Sequence, residues 1–193
     1  MCMSSAMSLQ PRAPVEMRRL MRVACLAIGL AVIPAASALA GVPAPYAPLV
    51  IQPTGAPARH EFDLSAALAR ARRENKRLYV YLGAHNCPFC RRYEAFLEQN
   101  EAQLVPHFAA QYIVVDLRSS LSVTADLLFF RIGERSLPYA EFQRAIGDER
   151  ARMLVYPSVW LLDPDARPLM QMPAGTGTFQ TVPEQLEILR LEQ

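Results

Sequence analysis

From residue 59 onward the chain alternates between short apolar runs and stretches whose apolar residues recur every three or four positions. Residues 77–84 (Arg-Leu-Tyr-Val-Tyr-Leu-Gly-Ala) and 112–117 (Tyr-Ile-Val-Val-Asp-Leu) are aromatic and β-branched runs, the pattern of buried strands. Residues 63–74 predict a helix with Asp63 as N-cap and Leu64, Ala67, Leu68 and Ala71 on one face. Residues 91–99 predict another helix, and 101–111 a further helical piece broken near Pro106. The stretch 119–152 is mostly helical in pattern, with helices expected at 126–131 and 139–152 and punctuation at Gly133 and Pro138. Residues 158–162 read as a strand, 163–166 as a turn and 169–172 as its antiparallel partner. Thr181 and Glu184 form a capping box that opens a C-terminal helix through Leu186, Ile188, Leu189 and Leu191. The expected order is α-β-α-β-α(α)-β-β-α.

The first forty residues fall outside this pattern. Met17 to Arg22 is a basic stretch, 23–33 is an apolar core shorter than a membrane span, and Ala38-Leu39-Ala40 supplies a small-x-small step. Residues 1–40 are therefore expected to be an export signal, with Met17 the better start and Gly41 the first residue of the mature chain; an uncleaved anchor is the competing reading. Residues 41–58 hold five prolines and no charge, and predict a polyproline-like arm that links to the domain or straps across it. The domain itself is placed at 59–193, and the location of the exported chain in the periplasm.

Charge excludes one class of partner. The 193-residue chain carries a formal +2, and residues 41–193 hold 16 basic and 17 acidic residues, so no nucleic-acid surface is expected. Lys76 is the only lysine. Cleavage also changes the cysteines: Cys2 and Cys25 leave with the leader, and Cys87 and Cys90 remain. Two cysteines three positions apart close almost no loop and contribute little by constraining the unfolded chain. A C-x-x-C between a strand and a helix is instead the setting of redox chemistry.

Together, Cys87-Pro88-Phe89-Cys90 and residues 155–163 (Val-Tyr-Pro-Ser-Val-Trp-Leu-Leu-Asp) resemble the thioredoxin superfamily over roughly residues 60–193. Exported thioredoxin-like proteins are the most similar branch. The resemblance implies an α/β, three-layer fold with a central mixed β-sheet, and the 119–152 stretch is expected to be a helical insertion. It implies a thiol–disulfide oxidoreductase in which Cys87 attacks and Cys90 resolves. Pro157 is the expected cis-proline, and Tyr156 and Phe89 are expected to meet the client. The chain departs from the family where Asn86 replaces a tryptophan, and where Tyr79 and Tyr81 stand in place of a buried acid on the strand below the site.

The residues suit that chemistry. Cys87 at a helix N-terminus would meet unpaired N–H groups and the positive end of the dipole, which favour a thiolate. Pro88 fits the first helical turn and stiffens the motif. His85 either tunes the Cys87 thiolate or is a polar loop residue. No cofactor is expected beyond the redox-active Cys87–Cys90 disulfide. Expected partners are client proteins bearing disulfides or thiols and a membrane electron-transfer protein. A reductant role is favoured over an oxidase or isomerase role. The reading from another class is a copper-binding module using Cys87, Cys90 and His85 with Met170 or Met172; a zinc site would need a second ligand pair that the mature chain lacks.

Overall fold

The computed structural model describes residues 41–146, 153–171 and 181–190. In chain order its elements are β1 (Leu49–Ile51), β2 (His60–Asp63), α1 (Ser65–Glu74), β3 (Arg77–Ala84), α2 (Pro88–Gln99), α3 (Glu101–Gln111) and β4 (Tyr112–Ser119). They continue with β5 (Leu128–Ile132), β6 (Arg135–Pro138), α4 (Tyr139–Ala145), β7 (Ser158–Leu162), β8 (Pro168–Gln171) and α5 (Val182–Arg190).

Strand β3 is the axis of a mixed five-stranded sheet of order β1-β4-β3-β7-β8. It runs parallel to β4 along its full length, from Arg77 opposite Tyr112 to Ala84 opposite Ser119, and antiparallel to β7. Strand alternation divides β3 between two layers. Tyr79 and Tyr81 face α2 and α3, where Tyr79 meets Phe108 edge-on at 4.8 Å and Tyr81 lies 5.8 Å from Tyr93. Val80 pairs with Trp160, whose indole meets Phe130 and Phe142 of a second layer at 5.9 and 5.5 Å.

That second layer holds a sheet of order β2-β5-β6, with β2 parallel and β6 antiparallel to β5. It corrects the expected helical insertion at 119–152. Leu128 and Phe130 are buried while Phe129 and Arg131 are partly exposed, a period of two that builds a strand where residues 126–131 suggested a helix. The helix expected over 139–152 is described as α4; residues 147–152 lie outside the described residues.

Of the two readings of the 41–58 arm, linker or strap, the structure matches the strap: the arm makes a 3₁₀ turn at Ala44–Tyr46, and β1 then pairs with Leu49 opposite Val115 in the large sheet. Tyr46 fixes it there by donating to the Leu97 carbonyl at 2.8 Å and packing 5.1 Å from Phe108. Helix α3 runs through Pro106, because burial of Leu104 and Phe108 on either side outweighs the one lost hydrogen bond.

The N-cap of α1 is Leu64 and not Asp63, because the helix opens one residue later than expected; Asp63 Oδ1 still accepts from Ser65 N–H at 2.9 Å just outside it. The capping box is reciprocal, with Thr181 N–H donating to Glu184 Oε2 at 3.1 Å and Glu184 N–H to Thr181 Oγ1 at 3.4 Å.

Candidate functional site

The C-terminal end of β3 delivers the site. Ala84 ends the strand, Cys87 N–H turns back to the Ala84 carbonyl at 3.1 Å, and α2 begins at Pro88. Cys87 is therefore the N-cap of α2, in extended conformation (φ −99°, ψ 115°), and Pro88 takes the first helical position where no donor is needed. The Cys90 N–H donates to Cys87 Sγ at 3.1 Å. The two cysteines form a disulfide with Cα atoms 5.2 Å apart. Cys90 is fully enclosed and Cys87 is only 2% exposed, so Cys87 is reached through the groove it borders.

That groove, about 530 Å³, is lined by Cys87, Pro88, Phe89, Leu121, Leu154 and Tyr156, together with Val123 to Ala125 and Val155. Among the described residues no charged side chain borders it. Phe89 and Leu121 are 42% and 47% exposed, which gives the rim an apolar character. The structure thus brings together Cys87, Pro88, Phe89 and Tyr156. The Tyr156–Pro157 peptide bond is cis, and Pro157 leads directly into β7 beside β3.

The groove wall is stitched to the segment before the motif. His85 N–H donates to the Ser119 carbonyl at 3.2 Å and His85 Nδ1 lies 3.0 Å from the same oxygen, which assigns the proton to Nδ1. Asn86 Oδ1 accepts from Leu121 N–H at 3.0 Å, and Ser119 Oγ bonds the Tyr156 hydroxyl at 2.9 Å. Burial pushes the Tyr156 phenol up, so it stays neutral. His85 is not among the groove residues. No group of three or more His, Cys, Asp or Glu is arranged to hold a metal among the described residues. Met170 lies on β8, and Met172 lies outside the described residues.

Beneath the site the sequence reading missed two buried carboxylates. Glu94, on the same face of α2 as Cys87 and Cys90 by its helical spacing, is 8% exposed. It accepts from the Tyr81 hydroxyl at 2.9 Å and from Arg91 at 2.9 Å, while Arg91 also donates to the His85 carbonyl. Burial, and after it the Glu94 charge, pushes the Tyr81 phenol well above its ordinary range, so Tyr81 remains a donor. Asp116 on β4 is fully buried opposite Tyr81; burial raises its carboxyl, against the lowering pull of Arg118. The signal for both was present: an acid inside an apolar strand run and an acid one helical turn past Cys90. A second polar chain runs from Tyr79 through Tyr93 to Gln185 of α5, tying three elements below the sheet.

A family model for the thioredoxin-like domain matches residues 64–187. Among solved structures, a thioredoxin-fold protein from Helicobacter pylori is 14% identical with a TM-score of 0.38; the alignment covers 61% of this chain and 66% of that chain, just under two thirds of its length. No curated protein matches the chain. With the family model spanning most of the chain, and with a mixed sheet delivering C-P-F-C to a helix N-terminus, this protein belongs to the thioredoxin-like domain family.

Proposed function

We propose that the protein is an exported, periplasmic thiol–disulfide oxidoreductase that reduces client disulfides. The observation that carries this reading is Cys87 as the N-cap of α2, its sulfur accepting the Cys90 N–H at the floor of an apolar groove. In the dithiol form those N–H groups and the helix dipole favour the Cys87 thiolate. The thiolate attacks one sulfur of a client disulfide, forming a mixed disulfide and releasing the other client sulfur as a thiolate, which takes up a proton. Cys90, deprotonated in its turn, attacks Cys87 Sγ, frees the second client thiol and leaves the Cys87–Cys90 disulfide. Two electrons pass to the client, and a membrane electron-transfer partner returns them.

Phe89, Tyr156 and Pro157 present the client in this reading, and the apolar lining that Phe89, Leu121 and Leu154 give the groove suits an extended apolar segment. His85 Nδ1 is committed to Ser119, so any action of His85 on the thiolate falls to its Nε2 side. The test is insulin reduction by the processed chain with dithiothreitol as donor. Wild type is expected to accelerate precipitation, and Cys87→Ser to lose at least about a thousandfold in rate, as removal of a nucleophile does. Equal rates for the two would overturn the assignment.

A further inference from the structure

The exchange steps proposed above do not use Asp116, yet it is fully buried. Its Oδ2 accepts from Val42 N–H at 3.2 Å and from Arg118 Nε at 3.0 Å, while its Oδ1 has no hydrogen-bond partner. A buried carboxylate oxygen without a donor costs stability, and native structures supply one where they can.

Gly41 closes over this same carboxylate. A Cβ at position 41 would collide with Asp116 Oδ2 and come within 2.6 Å of Arg118 Nη2, and φ there is +154°. Space therefore favours glycine there, since the Asp116 and Arg118 side-chain ends would have to move to admit a Cβ. Because N and Cβ branch from one Cα, the Gly41 nitrogen lies within about 5 Å of Oδ2. Gly41 and Asp116 also border a small cavity of about 10 Å³ with Arg118, Glu94, His85 and Tyr81. That volume is about one probe sphere, the least that holds a water-sized group.

Gly41 is the residue that Ala38-Leu39-Ala40 leaves first after cleavage. Hydrolysis of the 40–41 bond leaves a carboxylate on the leader and turns a neutral amide, with one donor, into an ammonium with three. We propose that Asp116 is the built binding site for the α-ammonium of Gly41, so that removing the leader completes a buried ion pair the uncut chain cannot form. The inference rests on the export-and-cleavage part of the reading above and not on the redox chemistry. Arg118 faces the same carboxylate and repels the ammonium, but it is committed to Oδ2 and leaves Oδ1 open. Glu94, across the cavity, adds to the attraction. The pair would anchor the arm to β4 next to the cavity that His85 also borders.

Lys76 is the only lysine, so a Lys76→Arg chain exported and processed by cells has its α-amine as the only primary amine. An acetyl N-hydroxysuccinimide ester then modifies that amine alone. Mass spectrometry is expected to find the chain beginning at Gly41. Acetylation is expected to lower the melting temperature by several degrees, and by less than about one degree in Lys76→Arg/Asp116→Asn. The pH dependence of acetylation should place the amine above its ordinary range of about 7.7–8.0, a readout that stands even if Asp116→Asn fails to fold. A chain starting elsewhere, an amine titrating in its ordinary range, or an acetylation that changes both backgrounds equally or neither would overturn the proposal. None of these readouts involves disulfide exchange, so loss of the redox reading would leave this one standing, and the reverse.

Discussion

In the five-stranded sheet every residue of β3 after Arg77 is buried, and in β4 only Arg118 is partly exposed. In the three-stranded sheet β6 buries Leu137 alone, and the same sheet's Glu61 gathers Arg59, Arg131 and Ser136 around one carboxylate. The first sheet is cohesive on both faces. The second has one aromatic face, with Phe130 stacked 4.2 Å from Phe142, and an ionic rim. Packing around the disulfide is therefore uneven. Cys87 and Cys90 hang from the cohesive sheet, whereas Leu121, Val123 and Ala125 of the groove wall belong to the connection from β4 into the small sheet.

The largest expected effect separates a shared core from two independent ones. Phe130 is fully buried between Phe142 and Trp160, so Phe130→Ala is expected to cost about 3–5 kcal/mol in urea unfolding. The unfolding should stay a single transition, because Trp160 belongs to the large sheet. Two separate transitions would show that the sheets do not share a core.

The ionic rim gives a smaller effect with a defined pH window. The Ser136, Arg59 and Arg131 partners hold the Glu61 carboxyl down at about 2, against 4.5 ordinarily. A depressed carboxyl contributes stability above its unfolded value and loses it as pH falls through the folded one. The side chains of Arg59 and Arg131 are 41% and 37% exposed, so solvent screening trims the contribution to about 1–2 kcal/mol. Glu61→Gln is expected to lose that amount near neutrality and to converge with wild type as pH falls from 4.5 to 2. A difference independent of pH would mean that shape, not charge, holds the rim.

The smallest effect probes the wall. Asn86→Ala removes the acceptor for Leu121 N–H, an exposed bond whose loss should cost no more than about 1 kcal/mol. Insulin reduction should nevertheless slow several-fold, mainly through KM. Unchanged kinetics would show that Asn86 does not position the wall.

The same contrast explains what was legible in the sequence. Residues 77–84 and 158–162 match their observed strands residue for residue, because strands buried on both faces are written as unbroken apolar runs. Strand β5 is five residues long and half-exposed, so its period of two competes with a helical reading of the same residues, while β2 and β6 have only four residues each to carry a pattern. The proline-rich arm hid β1 because an edge strand tolerates proline beside it, and its partner lies more than sixty residues away. At the site, Cys87, Pro88, Phe89 and Tyr156 were readable from motif and resemblance. Leu121, Leu154 and the bond from Asn86 to Leu121 were not, since only the folded chain brings those loops together.

As proposed here, Cys87 and Cys90 form a reversible dithiol poised to reduce clients, and the equilibrium reduction potential of the processed chain against a glutathione or dithiothreitol series decides it. The expected value lies nearer ~−270 mV than ~−120 mV. A value above about −150 mV, or a pair that does not exchange with the buffer at all, would contradict it.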